Sequence, residues 1–325
     1  MAHVPAQNVA HVLRRNVVQL NVAHVLPPNA VLAVPRNAAL PSRSDLDRYF
    51  ERRGMTPAFA FGGMNATTRP SLSTDCVMNL IERRDPTIDF SSLSKAEIAA
   101  MQAAADEMIG VLEEAAEQEK HILIDILNAA NDEPFTEWEH YPPGDVQDRD
   151  NGALWFYHAH AKDDGDRPWD EHGHFHTFVY SEHVQDGVQP IALPSDPDYE
   201  KGGLCHLIAI SFDNNGAPVR VFTTNRWVAA EWLYPADEVI RLLDKFVVET
   251  KKFPLTTRWL MAAMKLFRPQ IEWSLRERDA VLEQVRADDP EGFSENENYE
   301  VLSSFPFDLA GQIDALENSR AELTP

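Results

Sequence analysis

Leu154-Trp-Phe-Tyr-His-Ala-His-Ala161 and His172-Gly-His-Phe-His-Thr-Phe-Val-Tyr-Ser181, joined by the turn-rich Lys162–Glu171, read as two antiparallel strands. Five of the chain's twelve histidines fall between His158 and His176, where random placement would put fewer than one. Spacing says more than the count. Residues i and i+2 of a strand project from one face, about 6.6 Å apart. Two imidazoles at that separation can converge on one ion at about 2.1 Å each. His158-Ala-His160 does this once and His174-Phe-His176 does it again, with His172 extending the face. Phe175, Thr177 and Val179 then face the other side, with Trp155, Tyr157 and Ala159. If the strands pair, the two His-x-His pairs meet across about 5 Å.

The expected metal ligands are therefore His158, His160, His174 and His176, or three of these, with His172 and His206 in reserve. Imidazole nitrogens suit a divalent transition metal, zinc or iron(II) before calcium or magnesium. A mononuclear metalloenzyme, hydrolase or oxygenase, would act on a small-molecule substrate that the sequence does not name. The opposing reading is a non-catalytic protein whose histidines are structural, sense pH or line an organic cofactor such as haem. Four imidazoles closing a tetrahedron would favour a non-catalytic module that stores, senses or delivers metal; a carboxylate beside an open position would favour the enzyme. Glu171, directly before the second histidine strand, is the expected catalytic group; Glu182, Asp145, Asp148 and His140 are further candidates. Arg220 and Arg226 could hold an anionic substrate, although pairing with nearby carboxylates is their ordinary role. Gly152, five residues, then His158-x-His160 copies the opening of the cupin motif. The glutamate that motif expects is replaced by Asp164, and its second half is missing.

Outward from the histidines, Leu204–Phe212 and Val219–Thr224 read as two more strands around Asp213-Asn-Asn-Gly216, whose Asn-Gly supplies positive φ. Ser94-Lys-Ala-Glu97 is a capping box opening a long amphipathic helix, broken near Gly110. Helices are also expected at Trp227–Leu233, Ala236–Glu249 and Arg258–Arg286, the last interrupted at Pro269. Glu137–Asp148 reads as a loop because of its Pro-Pro-Gly. The sum is an α+β fold: a small four-stranded antiparallel sheet with a histidine-lined face, packed by flanking helices. The expected organisation is a repetitive arm (1–54), a linker (55–93), one domain (94–286) and an acidic tail (287–325).

The arm repeats Asn8-Val-Ala-His-Val-Leu13 as Asn21-Val-Ala-His-Val-Leu26, a pattern expected either of a translated DNA repeat ahead of a true start at Met55 or of a genuine short interaction arm. A formal charge of -23 argues against nucleic acid, whose phosphates need a basic surface. No run approaches the roughly 20 apolar residues of a membrane helix, so no membrane partner is expected. Arg14 and Arg15 lie inside the first apolar stretch, unlike a secretory signal, and only two cysteines occur, so the expected compartment is the cytoplasm.

Several stretches together resemble a known family: Glu139-His-Tyr-Pro-Pro-Gly-Asp-Val146, Tyr157-His-Ala-His160, Glu171-His-Gly-His-Phe-His-Thr-Phe178, His206-Leu-Ile-Ala-Ile-Ser211, Val221-Phe-Thr-Thr-Asn-Arg-Trp227 and Leu266-Phe-Arg-Pro-Gln-Ile271. They are similar to a bacterial family without assigned activity, the domain-of-unknown-function family 6969, from about Ser94 to Val285. The resemblance implies one coherent domain and contributes no catalytic roles.

Overall fold

The computed structural model describes residues 85–130, 136, 139–159, 169–194 and 203–322. The repetitive arm, Cys76 and His160 lie outside them. Among the described residues, six strands form one antiparallel sheet in chain order. They are β1 (Tyr141–Asp148), β2 (Ala153–His158), β3 (Gly173–Tyr180), β4 (Leu204–Phe212), β5 (Pro218–Thr224) and β6 (Val301–Pro306).

The α+β class holds, but the expected four strands are six. Both additions are edges. β1 contains Pro142 and Pro143, which cannot donate to a ladder but cost nothing where a strand has one neighbour. Its register slips between Tyr141 and Val146, which accommodates the Pro-Pro-Gly. β6 comes from the acidic C-terminal segment, where flanking carboxylates hid Val-Leu-Ser-Ser-Phe; it pairs along β5 from Arg220↔Pro306 to Thr224↔Val301.

The helices are α1 (Lys95–Glu117), α2 (Ile124–Leu127), α3 (Arg226–Ala229), α4 (Ala236–Leu242), α5 (Pro254–Leu266), α6 (Arg268–Asp288) and α7 (Leu309–Glu322). α1 starts on the capping box: Ser94 Oγ accepts from Glu97 N at 3.2 Å, and Glu97 accepts from Ser94 N at 2.8 Å. It runs through Gly110 without a break, because Ile98, Met101, Ala105, Met108 and Ile109 keep one buried stripe. α1 packs on α5, and α6 follows after Phe267, with Pro269 in its first turn, as the proline predicts.

One face of the sheet is covered by these helices. Trp155, Tyr157, Phe175, Val179, Ile210 and Phe212 share a core with Met108, Trp259, Leu260 and Ile271. Each large side chain so buried contributes about 1.5–3 kcal/mol. Trp155 also donates its indole N–H to Thr257 Oγ1 at 3.1 Å, so its polar atom is not stranded. The β4–β5 turn is fastened by Asp213, whose carboxylate accepts from Asn215 N at 2.8 Å and Ala217 N at 2.9 Å. Gly216 alone takes the positive φ, 79°, while neither asparagine does. His121 follows the end of α1 and packs under this hairpin against Gly216.

Candidate metal centre

β2 and β3 pair so that His158 opposes His174 and Phe156 opposes His176. Alternation then sends the three histidines to the face away from the helices, between two apolar clusters. Leu154, Phe156, Phe178 and Tyr180 lie on one side, and Ala209, Phe222, Val301 and Trp169 on the other. Ring centroids are 4.6 Å apart for His158–His174 and His174–His176, and 5.1 Å for His158–His176. Each histidine offers one nitrogen, and the three nitrogens lie within 4.8 Å of one another, so His158, His174 and His176 could hold a metal ion. All three are buried.

The outer contacts fix which nitrogen points where. His174 Nδ1 lies 2.8 Å from Glu171 Oε1. The other oxygen of Glu171 accepts from the Ser211 hydroxyl and from Trp169 Nε1, the latter at 3.1 Å. A carboxylate with those donors takes the Nδ1 proton side of His174 and leaves Nε2 facing inward. His174 Nε2 and His176 Nε2 are 2.9 Å apart, a hydrogen-bond length. A tetrahedral ion bound at about 2.0–2.1 Å would hold two such nitrogens about 3.3 Å apart, so this pair would need to separate by only a few tenths of an ångström.

His206 enters through a β-bulge. His176 pairs with Ala209, yet Phe178, two residues on, pairs with His206, three residues back. Leu207 and Ile208 therefore both face the helix core, and His206 is flipped to the histidine face. Thr177 serves the bulge: its hydroxyl donates to Ile208 O at 2.7 Å and accepts from Ile208 N at 3.3 Å. His206 Nε2 then lies 2.9 Å from His176 Nδ1, and His206 Nδ1 lies 3.3 Å from Thr224 Oγ1. Burial, with a contribution from Arg278, pushes His206 down to about 3, so its ring is neutral. Behind it, Glu231 Oε2 accepts from His206 N at 3.0 Å, and burial pushes this carboxyl up to about 8.

Of the expected site residues, His158, His174 and His176 come together, and His160 lies outside the described residues. Glu171 is at the site, bonded to the His174 ring. His172 does not extend the face: at the start of β3 it turns to the opposite side, with Nδ1 2.7 Å from the Tyr157 hydroxyl. Gly173 allows this, since a Cβ there would collide with Tyr157 and His158 O. His140 stacks on Phe156 with centroids 3.6 Å apart, and its Nδ1 is 3.0 Å from Asp145. Asp148 instead fastens the β1–β2 turn, accepting from Asn151 N at 3.0 Å and Glu249 N at 2.7 Å. Arg220 pairs with Asp85 at 3.2 Å, and Arg226 pairs with Glu295. His206, held in reserve by the sequence reading, does reach the histidine face, and the bulge that brings it there is marked by the doubled apolar pair Leu207-Ile208 before Ala209. Nothing comparable marked Ser211, Trp169 or Thr224.

Among the described residues no helix is long and apolar enough to cross a membrane. A family model described as Domain of unknown function (DUF6969) matches residues 102–307, more than half of the chain. No curated protein and no solved structure matches.

Proposed function

We propose, for a chain that belongs to the DUF6969 family, that it binds one divalent transition metal ion through His158, His174 and His176. The observation that carries this is the convergence of three buried imidazoles, each able to turn a nitrogen toward one point. Three imidazoles suit zinc or iron(II) and leave at least one coordination position for water or a small-molecule substrate. Bound there, the ion would polarise that molecule or activate water, the chemistry of a mononuclear hydrolase or oxygenase. His206 is no fourth ligand, because its Nε2 is directed to His176 Nδ1. Glu171, held by His174, Ser211 and Trp169, takes the role of a positioning residue that orients His174.

A second reading rests on the same contacts: Glu171, His174, His176, His206 and Thr224 form one hydrogen-bonded chain that could serve structure alone. Elemental analysis separates the two. Tag-free protein purified without chelators is expected to carry close to one zinc or iron per chain, and a His158→Ala/His174→Ala double variant close to none. A parent protein without metal, which also takes up none on titration with zinc or iron(II), leaves only the structural reading.

A further inference from the structure

We propose that His206 positions His176 for the ion, and that metal binding re-sets the tautomers of both rings along the chain ending at Thr224. This rests on the metal-binding reading above. Without an ion the contacts have a consistent assignment. Glu171 accepts from His174 Nδ1–H; with His174 neutral, its Nε2 carries a lone pair and accepts across its 2.9 Å contact with His176 Nε2. His176 must then be protonated at Nε2 and bare at Nδ1. His206, 2.9 Å away, supplies the proton to that bare nitrogen from its Nε2, and its own Nδ1 accepts from the Thr224 hydroxyl at 3.3 Å.

An ion between His174 and His176 needs the lone pair of both Nε2 atoms. His174 already presents one, but His176 does not. Its Nε2 proton must leave, the His206 Nε2 proton must pass to His176 Nδ1, and His206 must take a proton on Nδ1 from the Thr224 hydroxyl; His176 Nδ1–H then donates to His206 Nε2, and His206 Nδ1–H to Thr224 Oγ1. The two contacts of His206 are again satisfied with their directions reversed, the Glu171–His174 contact is unchanged, and the ion takes the place of the His174–His176 contact. The count balances: one proton leaves His176 Nε2 for water, and one returns from water by way of the Thr224 hydroxyl. Neither ring changes charge, and no atom of the chain need move by more than a few tenths of an ångström. An imidazole is suited to the middle of such a chain because either nitrogen can be donor or acceptor. The β-bulge at Leu207–Ile208 is what delivers that imidazole, since in a regular ladder Leu207 would occupy the position of His206.

The test uses the full-length, tag-free protein labelled with 15N-histidine, and long-range 1H–15N spectra that distinguish the tautomers. One equivalent of zinc is expected to move His176 and His206 from Nε2–H to Nδ1–H and to leave His174 as Nδ1–H throughout. Zinc bound with the His206 tautomer unchanged would overturn the relay and leave the metal site standing. A parent protein that takes up no zinc would instead overturn the site. Affinity measured by competition with a chromophoric chelator gives a second readout. His206→Leu is expected to bind zinc about 10–100-fold more weakly, the usual cost of losing an outer partner. His206→Gln, whose amide can both donate and accept, is expected to recover most of that loss. Equal weakening in both variants would remove the hydrogen bond as the cause.

Discussion

Trp155, Tyr157, Phe175 and Phe212 on one face of the sheet, and His158, His174, His176 and His206 on the other, come from the same three strands and are buried alike. They earn that burial differently. The first set packs on helices and gains from leaving water. The second set has to replace the hydrogen bonds that water gave it, and His174, His176 and His206 do so ring to ring and through Glu171 and Thr224. An apolar replacement of similar volume would stabilise the histidine face at least as well, so fold stability alone does not call for that chemistry. The comparison teaches where to look for each property: the helix-covered face should govern whether the chain folds, and the histidine face what it binds.

The largest effect should come from the helix-covered face. Phe175 meets Trp155, Tyr157 and Phe212 edge to face, at 5.6, 5.0 and 5.3 Å. Phe175→Ala is expected to cost about 3–5 kcal/mol in denaturant unfolding. A loss under about 1 kcal/mol would break the division between the faces. The next effect belongs to the support behind the histidines. Glu231 titrates near 4.5 when unfolded and at about 8 in the fold, chiefly through burial. Between those values the folded chain holds a proton that the unfolded chain has lost, so stability falls as pH rises from about 4.5 to 8. Glu231→Gln is neutral at every pH and keeps an acceptor for His206 N. Its stability relative to the parent should therefore rise across that window by on the order of 4 kcal/mol. Parallel stability curves for the two proteins would contradict a carboxyl held neutral at that position.

The two faces were unequally legible in the sequence. The hairpin of β2 and β3, the pairing of its histidines and the capping box of α1 rest on short-range periodicity, which a sequence carries openly. β1 was hidden because its prolines signal a loop, and only the knowledge that it is an edge makes them harmless. β6 was hidden among carboxylates. Within the site, His172 follows the alternation of His174 and His176, yet it leaves their face because it precedes the first ladder residue, Gly173. His206 departs from the alternation of its strand, where Ile208 and Ile210 face the core, and it joins the site through the bulge. A bulge depends on the partner strand, here on the Thr177 hydroxyl, and such a cause lies outside the segment it reshapes.

Metal binding sharpens the contrast from the other side. An ion that binds only the folded chain stabilises it by about 2.7 kcal/mol at a free concentration 100 times its Kd. Zinc should raise the midpoint of thermal unfolding of the parent accordingly. His174→Ala should abolish that rise, because it removes one of the three proposed ligands. If the variant keeps the full zinc-induced rise, the stabilising ion is bound elsewhere.

The smallest effect tests whether the faces are independent. Ser94 caps α1, on the helix-covered side of the sheet, through its hydroxyl to Glu97 N. Ser94→Ala removes that acceptor and should cost about 1 kcal/mol. The loss falls on one end of a helix whose buried stripe is untouched. If the histidine face is held by its own hydrogen bonds, with the intervening apolar core rigid at this level of strain, zinc affinity should match the parent within error. Stability by denaturant and affinity by chelator competition are then measured on the same preparation. A drop in affinity parallel to the drop in stability would mean that the helix layer sets the geometry of His158, His174 and His176. The two faces would then be a single cooperative unit, and their separate roles would have to be abandoned.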